Sequence, residues 1–247
     1  MQIAVISDIH GNIGALEAAL ADIDRHGITE VLNLGDSFSG PFDAGAVADL
    51  LMARAIPQVM GNHDRFLIDR APEEMDLWER WAYPLLTTMH LDWIRSFRAL
   101  DERHGIVMSH GQPGDDNANW LHRRAQDGSM QPASLEQASG PAEGIDNPVI
   151  LSGHTHLPRA VRVPDGPLLV NPGSIGCPAY FNDDIDPPLW AEMGAPDASY
   201  AILEQAGGTW RASFHTVLYD TAPMIALARQ NDAEPWARAL ETGWAPR

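Results

Sequence analysis

Short apolar runs alternate with longer helical repeats through the first two thirds of the chain. Residues 3–6 are Ile-Ala-Val-Ile, the continuous β-branched text of a strand buried on both faces. A polar loop from Ser7 to Asn12 follows. Ile13, Leu16, Leu20 and Ile23 then recur at helical spacing, with Asn12 as N-cap and Gly27 as the stop. The unit repeats. Residues 30–34 predict a second strand ending at Gly35-Asp36, and residues 43–54 a helix with Ala46, Val47, Leu50 and Leu51 inward. Residues 56–60 predict a third strand, ending at Gly61-Asn62-His63-Asp64.

The pattern turns helical over 72–98, where Trp78, Trp81, Leu85, Leu86, Leu91, Trp93, Ile94 and Phe97 read as packing side chains. Residues 105–109 predict a strand ending at His110-Gly111. Residues 112–146 are rich in Gly, Pro, Asp, Asn, Gln and Ser, with a short helical patch at 120–124. So long a stretch with so little apolar content predicts a lid, with Trp120 and the following Arg123 and Arg124 carried over a cleft. Residues 149–151 predict a strand ending at Gly153-His154-Thr155-His156. A hairpin with its turn at Asp165-Gly166 joins 160–163 to 168–170, and a second, around Gly207-Gly208, joins 200–204 to 210–219. Helices at 222–229 and 234–242 close the chain. Alternating strands and helices indicate an α/β protein, and 247 residues with 45% hydrophobic content suit one substantial core. The expected organisation is a single domain over 1–247, with a lid insertion at 112–146 and a C-terminal β-hairpin plus helices at 198–247.

The 16 basic residues are outnumbered by 34 acidic ones, a formal net charge of −18. Nucleic-acid affinity comes mainly from Lys and Arg neutralising phosphates, so DNA and long RNA are excluded as partners, and no basic run suits an anionic membrane surface. A small phosphorylated substrate is compatible, because a metal ion can dominate the field inside a cleft. Cys177 is the single cysteine, so no intramolecular disulfide forms. The first residues lack the basic and long apolar regions of a signal peptide, and no apolar run approaches the ~20 residues of a membrane span. A cytoplasmic protein is expected; the oligomeric state is open.

The chemistry sits at the predicted strand ends. Asp8, His10, Asp36, Asn62, His110, His154 and His156 all fall there, and in open α/β sheets that edge is where ligands bind. Taken alone, Asp8-x-His10 could cap a helix, Gly35-Asp36 could be an ordinary turn, and His154-x-His156 could be structural. Together they are too many ligands for one ion and suit two ions sharing a carboxylate. Imidazole, carboxylate and amide oxygen accept Mn, Fe, Zn, Ni or Co without selecting among them.

The ordered series Asp8-x-His10, Gly35-Asp36, Gly61-Asn62-His63-Asp64, Ser109-His110-Gly111 and Gly153-His154-Thr155-His156 resembles the calcineurin-like metallophosphoesterase superfamily, and Asn171-Pro172-Gly173-Ser174 extends the match. The resemblance implies a four-layer α/β/β/α sandwich of two mixed β-sheets flanked by helices. It implies Asp8, His10 and His156 on a first ion, Asn62, His110 and His154 on a second, and Asp36 bridging. It also implies hydrolysis by a metal-bridging hydroxide, with His63 over the phosphate assisting the leaving group and Asp64 orienting His63. Asn12 and Arg159 are candidate substrate contacts, although Asn12 reads more naturally as a cap.

Departures narrow the class. The Ser/Thr protein phosphatases carry an Arg shortly after the bridging Asp, whereas this chain reads Gly35-Asp36-Ser37-Phe38-Ser39-Gly40-Pro41. The Asp-Ile-His-Gly-Asn opening and Gly40-Pro41 resemble prokaryotic phosphodiesterases and their diadenosine-tetraphosphatase-like relatives, which implies a small phosphodiester or nucleotide as substrate. Two alternatives are a Ser/Thr protein phosphatase, disfavoured by the missing Arg, and a non-catalytic scaffold on the same fold, disfavoured by the presence of His63.

Overall fold

The inner strands of the two main sheets, at 3–6, 106–108, 149–151 and 168–170, are apolar at consecutive positions because both of their faces are covered. The computed structural model describes residues 1–245 apart from 184, 185 and 187. Strand β1 (Gln2–Ile6) leads through a loop into helix α1 (Ile13–Arg25). Ala4 and Ile6 face α1, whose Ala15, Leu16, Ala19, Leu20 and Ile23 form the inward stripe, while Ile3 and Val5 point the other way, into the space between the sheets. The Asn12 side chain accepts a hydrogen bond from the Ala15 amide at 3.0 Å and so caps α1. Strand β2 (Val31–Asn33) runs parallel to β1 and feeds α2 (Ala44–Arg54), capped in the same way by Asp43.

The third predicted strand is not regular. Residues 56–60 make only isolated bridges, Asn33 with Gln58 and Val59 with Arg98. Pro57 has no N–H to give a ladder, which limits pairing there to single contacts. Helix α3 (Asn62–Asp69) begins directly afterwards. The helical pattern over 72–98 is broken into α4 (Leu77–Ala82) and α5 (Thr88–Arg95), with one 3₁₀ turn carrying Pro72 ahead of α4 and another carrying Pro84 between the two helices.

Strands β3 (Leu100–Arg103) and β4 (Ile106–Ser109) open the second sheet. After them come the hairpin β5 (His122–Arg124) and β6 (Met130–Pro132), helix α6 (Leu135–Ser139) and strand β7 (Val149–Leu151). Strands β8 (Arg159–Arg162) and β9 (Leu168–Asn171) form the hairpin read from Asp165-Gly166. A small ribbon of β10 (Ala179–Asn182) and β11 (Leu189–Glu192) precedes β12 (Ala198–Ala206) and β13 (Thr209–Val217). Helices α7 (Ala222–Gln230) and α8 (Glu234–Thr242) end the chain.

The first sheet has the order β13-β12-β1-β2 and the second β3-β4-β7-β9-β8. Between them lie Ile3, Val5, Leu32, Leu34, Ile106, Met108, Val149, Leu151, Leu168, Val170, Ala201 and Leu203. The alternate residues of the second sheet, Val107, Ile150 and Leu169, face away and pack on Trp120, Leu121, Ala138 and Ala142. The fold is thus the expected sandwich of two mixed sheets with helices outside. Membrane-spanning helices are absent among the described residues.

Two expectations are corrected by this packing. The 120–124 patch holds the short strand β5 at 122–124 rather than a helix, and residues 112–146 do not carry Trp120 over a cleft. Trp120 is fully buried against the second sheet, with its Nε1–H donating to the Ala138 carbonyl at 2.9 Å. The few apolar residues of this segment are spaced as anchors, so low average hydrophobicity concealed a packed outer layer. The C-terminal hairpin is likewise not peripheral, since β12 pairs antiparallel with β1 at the centre of its sheet.

Buried Tyr200 on β12 gives a stability test of this join between β12 and α1. Its hydroxyl donates to Asp22 Oδ2 at 2.7 Å, and that bond is the main cause of Asp22 lying below the usual carboxylate range. Tyr200→Phe is expected to cost about 1 kcal/mol near neutral pH. A carboxyl depressed in the folded state stabilises above its unfolded pKa and loses that contribution as pH falls, so the difference from the wild type should shrink through the carboxylate range. Urea unfolding at several pH values measures it, and a pH-independent difference would refute the assignment.

Candidate metal centre

Five strands or strand-like segments deliver their polar ends to one place. Asp8 and His10 follow β1, Asp36 follows β2, Asn62 opens α3, His110 follows β4, and His154 and His156 follow β7. All are buried except His154, which is partly open. Five of these seven residues have positive φ: Asp8 at 56°, His10 at 50°, Asp36 at 52°, His154 at 67° and His156 at 60°. The left-handed region is costly for side-chain-bearing residues, and Asp and His are among the few that enter it. Such strain concentrates where the backbone must turn functional groups inward.

Two groups of side chains converge, Asp8 with His10 and His156, and Asp36 with His110 and His154. Asn62 Oδ1 joins the second at 3.1 Å from His110 Nε2 and 3.0 Å from His154 Nδ1. The remaining separations are 3.2 Å between His10 Nε2 and His156 Nε2, 3.0 Å from His110 Nε2 to Asp36 Oδ2, and 3.3 Å from His156 Nε2 to Asp8 Oδ1. These are edge lengths of a coordination polyhedron with bonds of about 2.0–2.2 Å.

The hydrogen bonds behind the rings fix which nitrogens face inward. His110 Nδ1 lies 2.8 Å from the Leu34 carbonyl, His156 Nδ1 2.9 Å from the Cys177 carbonyl, and His10 Nδ1 3.2 Å from the Ser39 carbonyl. A carbonyl can only accept, so each Nδ1 carries the proton and each Nε2 turns a lone pair to the centre. The centre is therefore lined by acceptors facing acceptors. Asp8 Oδ1 is buried there without a hydrogen-bond partner. Such an arrangement needs a cation to hold it together, and the donor set of carboxylate, imidazole and amide oxygen suits a divalent one.

The titration behaviour agrees. Burial pushes both carboxyls up, but the imidazoles of His156 and His110 outweigh it, holding Asp8 below and Asp36 well below the carboxylate range. Burial also works against charging His110, yet Asp36 raises it to about 9, and Asp8 raises His156 in the same way. Protons here stand in for the missing positive charge. His10 and His154 are held neutral, at about 3 and about 4, by burial and then by their charged neighbours His156 and His110.

Two sequence assignments change, and of the two readings of Asn12 the cap is the one observed. Asp64 does not orient His63, because its carboxylate accepts the backbone amides of Asp36, Ser37 and Gly61 at 2.8, 2.9 and 3.2 Å. It fixes the loop that carries Asp36. Arg159 is no substrate contact, since its guanidinium is bound to the carbonyls of Leu121 and Ala133 in the 112–146 layer. Asn12 is fully buried and fully used, capping α1 with Oδ1 and donating from Nδ2 to the Gly176 carbonyl and the Tyr219 hydroxyl. His63 does stand beside the centre, its ring centroid 5.8 Å from that of His10, with its amide donating to Asp36 Oδ1 at 2.9 Å. Burial opposes its charge, but Asp36 and Glu79 raise its pKa above the usual histidine value.

A sequence model of the calcineurin-like phosphoesterase superfamily domain matches residues 1–185, three quarters of the chain. The chain belongs to the calcineurin-like phosphoesterase superfamily. The crystal structure of a metallophosphoesterase from Sphaerobacter thermophilus is similar over 98% of this chain and 99% of its own, at 25% identity and a TM-score of 0.76. A putative diadenosine tetraphosphatase covers 86% of this chain and 93% of its own at 16% identity and a TM-score of 0.52, a likeness of fold alone. An uncharacterized protein of Methanocaldococcus jannaschii is 26% identical over 223 residues, 82% of each chain. Superfamily membership and the two His/Asp groups together support phosphoester hydrolysis and divalent-metal binding.

Proposed function

We propose that this phosphoesterase hydrolyses a small phosphodiester or phosphomonoester, nucleotides included, at a pair of divalent or first-row transition metal ions. The carrying observation is the inward-facing set of acceptors with the orphaned Asp8 Oδ1 among them. Asp8, His10 and His156 would hold one ion, Asn62, His110 and His154 the other, with Asp36 between them. When bound, the ions supply a water acidified toward a pKa of ~7 and positive charge for the phosphoryl oxygens. Carbonyl-backed rings keep the donors from swinging as charge develops. His63, at the open side of the centre, protonates the leaving oxygen. The net charge of −18 disfavours any polyanionic substrate and leaves small esters.

Chelator-treated protein reloaded separately with Mn, Fe, Zn, Ni and Co should bind two ions per chain and cleave bis(p-nitrophenyl) phosphate or p-nitrophenyl phosphate with at least one. No turnover with all five would sink the proposal. His63→Ala is expected to lower kcat by about 10²–10⁴-fold, the usual contribution of a general acid, with two ions still bound by elemental analysis. A variant that loses its ions instead would remove His63 from this role.

A further inference from the structure

The geometry assigns Glu79 of α4 as the positioning residue of His63, forming with Trp78 a clamp that fixes the imidazole above the centre. This rests on the phosphoesterase reading and adds a residue to it. His63 Nδ1 lies 2.5 Å from Glu79 Oε1. Trp78, the residue before Glu79, stacks on the same ring with centroids 4.8 Å apart and planes 14° from parallel. One short helix thus grips His63 by its edge and by its face. Trp78 is itself wedged edge-on against His10 and Trp236, at 5.4 and 4.6 Å, so the clamp is anchored to the first ligand loop and to α8.

Glu79 is fully buried, and its second oxygen, Oε2, has no hydrogen-bond partner. A buried carboxylate with one oxygen unsatisfied is a poor structural choice where an apolar side chain could fill the space, because desolvation outweighs most of the attraction to a partner. Orientation of the ring explains its presence better. With Nδ1–H donating to Glu79, the proton on that nitrogen is fixed and Nε2 is left as the nitrogen free to meet substrate. As an oxygen from water bonds to phosphorus, the P–O bond to the leaving group breaks, its electron pair stays on the leaving oxygen, and that oxygen takes the Nε2 proton. Nδ1 keeps its own proton on Glu79, and the ring is reprotonated from water.

The test uses the full chain with its metals, the variants Glu79→Gln and His63→Ala, and their combination. Against a diester with a poor leaving group, such as diphenyl phosphate, Glu79→Gln should lower kcat by about 10²-fold with little change in KM, the scale of loss when an imidazole's outer partner is removed. Against the p-nitrophenyl diester the loss should be smaller, because that leaving group needs less help. In the His63→Ala background the same change should cost almost nothing further. Equal losses in both backgrounds, or for both leaving groups, would overturn the assignment.

A second readout needs no turnover. Proton NMR of the metal-free wild type should show a low-field Nδ1 proton for His63, absent in His63→Ala and shifted upfield in Glu79→Gln or Glu79→Asp. No such proton in the wild type, or no shift in the Glu79 variants, refutes the clamp even if no substrate is ever found. Its presence together with a complete lack of hydrolysis would overturn the proposed function and leave the pairing standing.

Discussion

Asp36→Asn is expected to lower kcat/KM by at least about 10⁴-fold, because on the proposed reading Asp36 would be the carboxylate shared by two ions and its loss would remove both water activation and the clamping of phosphoryl oxygens. Asn enters the left-handed region readily, so the backbone at φ 52° should survive, and its side-chain oxygen can still accept the His63 amide that Asp36 Oδ1 accepts now. What disappears is the charge that faces His110 Nε2 at 3.0 Å and the ability to join two ions. Elemental analysis should therefore find fewer than two ions per chain, in contrast to His63→Ala. Undiminished turnover with both ions bound would show that Asp36 is not shared between them.

Gly61→Ala should do comparable damage from outside the ligand set. A methyl group at this position would run into the Asp36 carboxylate, coming within 2.8 Å of its Cγ, and into the Asp36 backbone nitrogen. Neither can retreat, since the amides of Asp36 and Ser37 are tied to the buried Asp64 carboxylate. The expected outcome is a loss of about 3 kcal/mol of stability, the upper part of the usual overpacking range, with metal binding and activity lost at the same time. Gly140→Ala is the matched control, because a Cβ there meets nothing within 4 Å. Should thermal unfolding and metal content of the Gly61 variant match those of the control, the close approach of α3 to the Asp36 loop is wrong.

The convergence of the candidate ligands was legible because they sit at the ends of short apolar runs, and such runs are strong local signals. Asp8, His10, Asp36, His110, His154 and His156 needed only the inference that successive strand ends share one edge. The left-handed backbone of all of these but His110 was not legible, because Asp and His usually occupy other regions and nothing local marks the exception. Glu79 was missed for a different reason. It lies within an aromatic helical segment that reads as packing, and only the tertiary fold brings it to His63. Its signal was faint but real, an acid lodged between Trp78 and Trp81 on a half-buried helix. Asp64 was misread because sequence adjacency to His63 suggested a partner, whereas one turn of helix sends its carboxylate back to the amides that precede it. Arg159 failed similarly, since carbonyls from a hairpin remote in sequence claim its donors. The strand over 56–60 and the helix over 120–124 show the weakness of reading short segments without their neighbours.

The central position of β12 sets an order of events for a chain that emerges from the ribosome one residue at a time. Every side chain assigned to the metal centre has been synthesised by His156, yet β1, which carries Asp8, gains the partner on its second edge only when Ala198–Ala206 arrives. The peptide that follows β9 also closes beneath the first ligand loop, where the amides of Ile175 and Gly176 reach the carbonyls of Ser7 and Asp8. A cation arriving before β12 is in place would meet a cage with one wall unbuilt.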